Sequence, residues 1–191
     1  MDNFLSVAYR LRGGITFLWF LILWVSGPSC HESQLWFLLL WPFGVVLRIW
    51  ARTSAGKHSR TKILEAPMLL QYGAYSFVRH PLYLSNILMG WGLAGAWSGT
   101  PWISTFAMFS LALFYGVLAM HEDHFLRDKF PKQWPEWKKQ VGALLPRKWS
   151  GKIEQGEHSV LQAIWGDFWT WLLWAAGITC LSFQWKHLCS T

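Results

Sequence analysis

Five apolar runs alternate with polar loops along the chain, at 14–27, 35–50, 81–97, 102–120 and 160–183. Their lengths predict helices that cross a bilayer. The first run is short for a hydrocarbon layer of about 30 Å at about 1.5 Å per residue, so it calls for flanking residues or a thinned bilayer. Pro42 interrupts the second run and predicts a kink or a close hairpin with the first. In the third, Gly90, Gly92 and Gly95 predict close helix contacts, and the uncharged turn Ser98-Gly99-Thr100-Pro101 leads into the fourth. A polar stretch from His121 to about Ser159 follows, whose amphipathic part, with Trp134 and Trp137, suits a headgroup layer. The fifth run carries Asp167 near its start, where ordinary solvation at a boundary is the expectation. Gly151 to His158 reads as a linker that sets this last helix apart as an accessory.

Composition supports the same reading, with 53% hydrophobic residues, 16 tryptophans and only 14% charged residues in a chain of 191. The expected fold class is therefore all-α, a polytopic helical membrane bundle of about five transmembrane helices in a single domain. A net charge of +7 invites a nucleic-acid partner, but Lys and Arg lie between the apolar runs, where they orient a membrane protein and attract lipid headgroups. Of the 17 basic residues, 16 fall on one face of a five-span topology and only Lys186 on the other. The positive-inside tendency then makes the amino terminus and both long loops cytoplasmic, in the plasma membrane if the source is bacterial. The partners expected are the lipid bilayer and a lipophilic small molecule, and no nucleic acid. No cleavable signal peptide is expected, because the first run holds bulky Trp and Phe and no A-x-A-like site follows it. Cys30, Cys180 and Cys189 have no CxxC spacing, and a Cys30–Cys189 disulfide has no sequence support beyond a shared side of the membrane.

Candidate chemistry sits at both ends of the 82–120 hairpin. Gly73-Ala-Tyr-Ser-Phe-Val-Arg-His-Pro-Leu-Tyr83 passes from a basic and aromatic cluster into an apolar helix at Pro81, which suits the first turn of a helix. Unpaired N–H groups and the positive helix end there favour anionic ligand groups. At the other end stands His121-Glu122-Asp123-His124, and adjacent carboxylates at a membrane boundary need water, a cation or a ligand. Arg79-His80 and Glu122-Asp123 therefore belong at one level of the membrane. Three readings compete for the acids. A metal site is disfavoured, since the spacing is not H-E-x-x-H and no third ligand is indicated. Surface pairing with Arg127 or Lys129 is the plain alternative. The third is a cofactor pocket walled by the two ends of the hairpin.

The pattern Gly73-x-Tyr75-x-x-x-Arg79-His80-Pro81-x-Tyr83, with Glu122-Asp123-x-x-Leu126 and Phe130-x-x-x-Trp134-x-x-Trp137-x-x-x-Val141, resembles the isoprenylcysteine carboxyl methyltransferase and phospholipid methyltransferase superfamily over residues 45–147. The resemblance implies a small helical membrane bundle that holds S-adenosylmethionine at its cytosolic side and releases S-adenosylhomocysteine. It implies that Tyr75, His80, Pro81, Leu82, Tyr83 and Glu122 line the cofactor site, with Leu69 and Leu70 in its wall. Arg79 and Asp123 join them through the chemistry above. Glu122 suits the donor's amino group or ribose diol, Arg79 or His80 its carboxylate, and the tyrosine faces its adenine or sulfonium. Methyl transfer relies on alignment and requires no metal. No catalytic residue is assigned.

The chain departs from the superfamily at Ala74, Asp123 and Pro131, where Pro, Glu and Gly are usual. Leu118 stands where prenylcysteine enzymes carry an arginine, which favours a lipid, thiol or other amphiphile as acceptor. Lys57, His58 and Arg60 are candidates to cap the cofactor, against the plainer reading of a solvated basic loop. Two other classes remain: an NADPH-dependent reductase of the sterol reductase type, whose motif is nearer Arg-His-x-Asn-Tyr, and a non-catalytic membrane interaction protein.

Overall fold

The computed structural model describes residues 12–26, 28, 35–56, 66–98, 101–148 and 159–189. Seven α-helices are found among them: α1 (Arg12–Ser26), α2 (Leu40–Ala55), α3 (Pro81–Ser98), α4 (Pro101–Lys129), α5 (Trp134–Gln140), α6 (Val160–Gly166) and α7 (Phe168–Cys189). Short 3-10 turns at Leu35–Leu39 and Gly73–Ser76 precede α2 and α3. The fold is all-helical, and among the described residues the one β-type pairing is an isolated bridge between Val78 and Gly142.

Helix α3 is the centre of the bundle and packs most extensively on α2 and α4. Small residues let the backbones approach. A Cβ on Gly44 would lie 2.5 Å from the Met89 side chain, and one on Gly90 2.4 Å from Leu111. Gly92 and Gly95 take up the turn before α2, where added Cβ atoms would meet the Phe37 carbonyl and ring. The expectation of close contacts along this helix is met in those places.

Three spans differ from their expected form. Pro42 stands in the first turn of α2, directly after the 3-10 turn Leu35–Leu39, where a helix leaves N–H groups unpaired anyway. Helix α2 also continues past Trp50 to Ala55, which carries Arg48 and Arg52 inside the helix. Helix α4 does not stop at Met120 but runs to Lys129, so the acidic pair lies on the same rigid rod as the apolar run. The fifth run is two helices broken at Asp167. Ser159 caps α6 through a capping box with Gln162. Asp167 is not solvated as expected but buried, held by Arg48 and Arg52 of α2.

Trp102–Lys129 is the one described helix long and apolar enough to cross a membrane, and Thr16–Ser26 is a shorter apolar one. Large apolar side chains face outward on both, among them Phe17, Ile22 and Val25 of α1 and Trp102, Phe106, Phe109 and Leu113 of α4. Lys57, His58 and Arg60, the turn residues Gly99 and Thr100, the segment 151–158 and Cys30 lie outside the described residues. Cys180 is an exposed free thiol, and Cys189 is disulfide-bonded.

Candidate functional site

The segment before α3 is pinned on both sides. Gly73 has φ +57°, and a Cβ there would lie 2.1 Å from Ser54 Oγ, so glycine meets both a left-handed backbone and a close approach to α2. Ser54 Oγ donates to the Trp50 carbonyl at 2.8 Å and accepts from Ala74 N at 3.2 Å. Past this turn the backbone lies along the chain that leaves α5. Arg79 N donates to the Gly142 carbonyl at 2.8 Å and His80 N to the Ala143 carbonyl at 3.1 Å. The His80 carbonyl then accepts from Tyr83 N and Leu84 N at 3.1 Å each and starts α3 at Pro81.

This backbone delivers Arg79 and His80 to the acidic pair of α4. The Arg79 guanidinium forks onto Asp123, with Nε 3.2 Å from Oδ1 and Nη2 2.6 Å from Oδ2. Its Nη1 donates to the Val141 carbonyl at 2.5 Å. The buried His80 ring bridges both acids, with Nδ1 3.2 Å from Glu122 Oε2 and Nε2 3.1 Å from Asp123 Oδ1. A carboxylate at each ring nitrogen calls for a proton on both. Burial opposes that charge, but the hydrogen bonds to Asp123 and Glu122 and their two negative charges outweigh it, and the His80 pKa rises to about 9. The imidazole is thus a cation at neutral pH.

Of the ten residues singled out from sequence, Arg79, His80, Tyr83, Glu122 and Asp123 come together here. Tyr83 stacks on His80 with ring centroids 5.6 Å apart. Pro81, next in the chain after His80, is fully buried. Leu69 is buried with Leu126, Trp134, Trp137 and Val141, and the half-buried Tyr75 packs against that cluster. The Tyr75 carbonyl accepts from Trp137 Nε1 at 3.2 Å. Leu82 packs instead on Leu47, Ala51 and Ala74, toward α2, and Leu70 is half-buried. Within the acidic pair Glu122 is the more open side chain, 27% exposed against 15% for Asp123. A cavity of about 550 Å³ opens beside α5, lined by Leu69, Gln71, Tyr72, Lys132, Glu136 and Trp137 among others; Leu69 is the one predicted site residue in its wall.

Two features were not predicted. The carbonyls of Val141, Gly142 and Ala143 hold Arg79 and His80, and backbone acceptors leave no mark in a sequence. Tyr115 stacks on the far side of Tyr83 at 5.3 Å, and its position two turns before Glu122 on one helix face was a readable signal. His124 turns back on its own helix, Nδ1 2.7 Å from the Met120 carbonyl, and among the described residues no group of three His, Cys, Asp or Glu side chains is arranged to hold a metal ion.

The phospholipid methyltransferase family profile matches residues 34–133. Over 129 residues the chain is 27% identical to the cobalt-zinc-cadmium resistance protein CzcN of Cupriavidus metallidurans, covering 62% of this chain and 55% of that protein. It is 35% identical over 81 residues to the nickel-cobalt-cadmium resistance protein NccN of Alcaligenes xylosoxydans xylosoxydans, covering 41% and 36%. The chain thus spans about half or less of the length of these curated relatives. No solved structure matches it.

Proposed function

Because the chain belongs to the phospholipid methyltransferase family, we propose that it is an integral membrane S-adenosylmethionine-dependent methyltransferase acting on a lipophilic or amphiphilic acceptor. The observation that carries this reading is the closure of the hairpin on itself, with the His80 ring between Glu122 and Asp123. Family membership favours methyl transfer over the NADPH-dependent reduction weighed from the sequence. It also favours membrane association, as does the apolar α4.

The residues present fit the cofactor. Its cationic and diol groups call for an accessible carboxylate, and Glu122 is the open member of the acidic pair. Its adenine calls for an aromatic or apolar wall, available at Tyr75, Leu69 and Leu70. The cavity of about 550 Å³ meets this wall at Leu69, and neither Tyr75 nor Glu122 lines it. When bound, the cofactor supplies an electrophilic methyl group on a sulfonium. The chain supplies position. Arg79 is committed to Asp123 and Val141, so it holds Asp123 in place while the His80 cation steadies Glu122. An imidazole already protonated at neutral pH does not take a proton from the acceptor. The site therefore suits an acceptor that arrives as a nucleophile, such as a carboxylate or thiolate, or an amine that loses its proton to water.

The membrane arrangement proposed has five crossings, by α1, α2, α3, α4 and the α6–α7 pair, with the amino terminus and the site on the cytoplasmic side. Counting about 1.5 Å per residue from Trp102, a layer of about 30 Å ends near Glu122. The outward Trp, Phe and Leu side chains of α1 and α4 would meet lipid.

Isothermal titration of the purified full chain in detergent with S-adenosylhomocysteine tests the reading. Wild type should bind, and Glu122→Gln should weaken binding by about 10- to 100-fold, the loss of a charge-assisted contact. A folded wild-type protein that does not bind, or a Glu122→Gln variant that binds as tightly, refutes it.

A further inference from the structure

The α6–α7 pair lies beyond the family-matched segment, yet it places a carboxylate inside the bundle. Asp167 is 3% exposed at the break between the two helices, with Arg48 Nε on one oxygen and Arg52 Nη2 2.5 Å from the other. A charge so placed costs several kcal/mol unless paired, and pairing alone would account for an anchor to α2. Arg48 does more, since its Nη1 donates to Asn86 Oδ1 at 2.8 Å.

That bond sets the direction of the next. With Oδ1 accepting, the Asn86 amide must present Nδ2 to Tyr115, and it donates to the hydroxyl at 2.9 Å. The Tyr115 hydroxyl also shares a hydrogen bond with Thr16 Oγ1 of α1, 3.0 Å away, in which either oxygen can donate. The Tyr115 ring is 1% exposed and stacks on Tyr83 at 5.3 Å, and Tyr83 stacks on His80 at 5.6 Å. An unbroken line of contacts thus runs from the C-terminal helix pair to the imidazole that holds Glu122.

We propose that Asp167 is a positioning residue for the His80 site: through Arg48 and Asn86 it fixes the Tyr115 hydroxyl, and the Tyr115 and Tyr83 rings seat the imidazole against Glu122. The C-terminal helix pair is then part of the functional unit and not an accessory to it. The consequence for cofactor binding rests on the methyltransferase reading above; the positioning itself does not. Coupling carried by such a line is expected to change affinity by about 2- to 30-fold.

The test is the ¹⁵N spectrum of the full chain, labelled at histidine and held in nanodiscs, with the His80 ring signals assigned by their loss in His80→Gln. Tyr115→Phe, which removes one oxygen and keeps the ring stack, and Asn86→Asp, which still accepts from Arg48 but does not donate, should both move the His80 ring resonances. Asp167→Asn should move them further, and Asp167→Glu should restore them in part. Each shifted variant should also bind S-adenosylhomocysteine more weakly. Should Asp167→Asn not fold, Tyr115→Phe and Asn86→Asp carry the test. His80 resonances unchanged in both, whatever their melting temperatures, overturn the proposal. The spectrum is read without cofactor, so a wild type that fails to bind S-adenosylhomocysteine counts against the methyltransferase reading alone.

Discussion

Raising the pH should weaken this fold through His80. In the unfolded chain the imidazole titrates at its ordinary 6.5, and in the folded protein at about 9. The stabilisation is fully present below pH 6.5, where both states carry the proton. It declines as pH rises toward 9, because the unfolded chain releases a proton that the folded site retains, and beyond 9 nothing more is lost. The gap of about 2.5 units corresponds to about 3 kcal/mol at about 1.4 kcal/mol per unit. No discount for solvent applies, since the ring is 4% exposed. The assay is denaturant unfolding in detergent, followed by fluorescence of the chain's 16 tryptophans, for wild type and His80→Gln across this range. Groups that do not interact with His80 cancel in the difference between the two proteins, and Asp123, held low by His80 and Arg79, titrates below this range. The advantage of wild type over His80→Gln should shrink by about 3 kcal/mol between pH 6.5 and the alkaline side of 9. A difference that stays flat, or grows with pH, refutes the assignment of a charged imidazole between two carboxylates.

Two further substitutions probe how the site is held. Gly142→Ala would put a Cβ 1.8 Å from the Leu145 carbonyl oxygen, so the backbone that accepts from Arg79 and His80 must move. The expected result is a loss of about 1–3 kcal/mol or more in unfolding experiments, together with loss of S-adenosylhomocysteine binding by titration. Leu118→Arg would restore the arginine of the prenylcysteine enzymes, but Leu118 is 0% exposed among Tyr83, Ile87, Leu111 and Tyr115. It should lower the melting temperature and yield no carboxyl methylation of a prenylcysteine, measured by transfer of labelled methyl groups; a stable variant with that activity would contradict this packing.

The run lengths and loop charges along the sequence were enough to read an all-helical chain, because a helix satisfies its own backbone and its apolar content shows in local order. The helix start at Pro81 was legible for the same reason, since a proline acts on its own turn. Local order also suggested that Arg79-His80 and Glu122-Asp123 meet, because a hairpin of two helices returns its ends to one level. What it did not disclose is how they meet. The fork of Arg79 onto Asp123, the carbonyls of residues 141–143 beneath it and the bridging imidazole depend on three separated segments arriving at once. Asp167 was read as an ordinarily solvated boundary residue and Arg48 as one of the 16 basic residues of one face, each beside its sequence neighbours. Only the folded bundle sets one against the other, and burial then turns two boundary charges into an internal link.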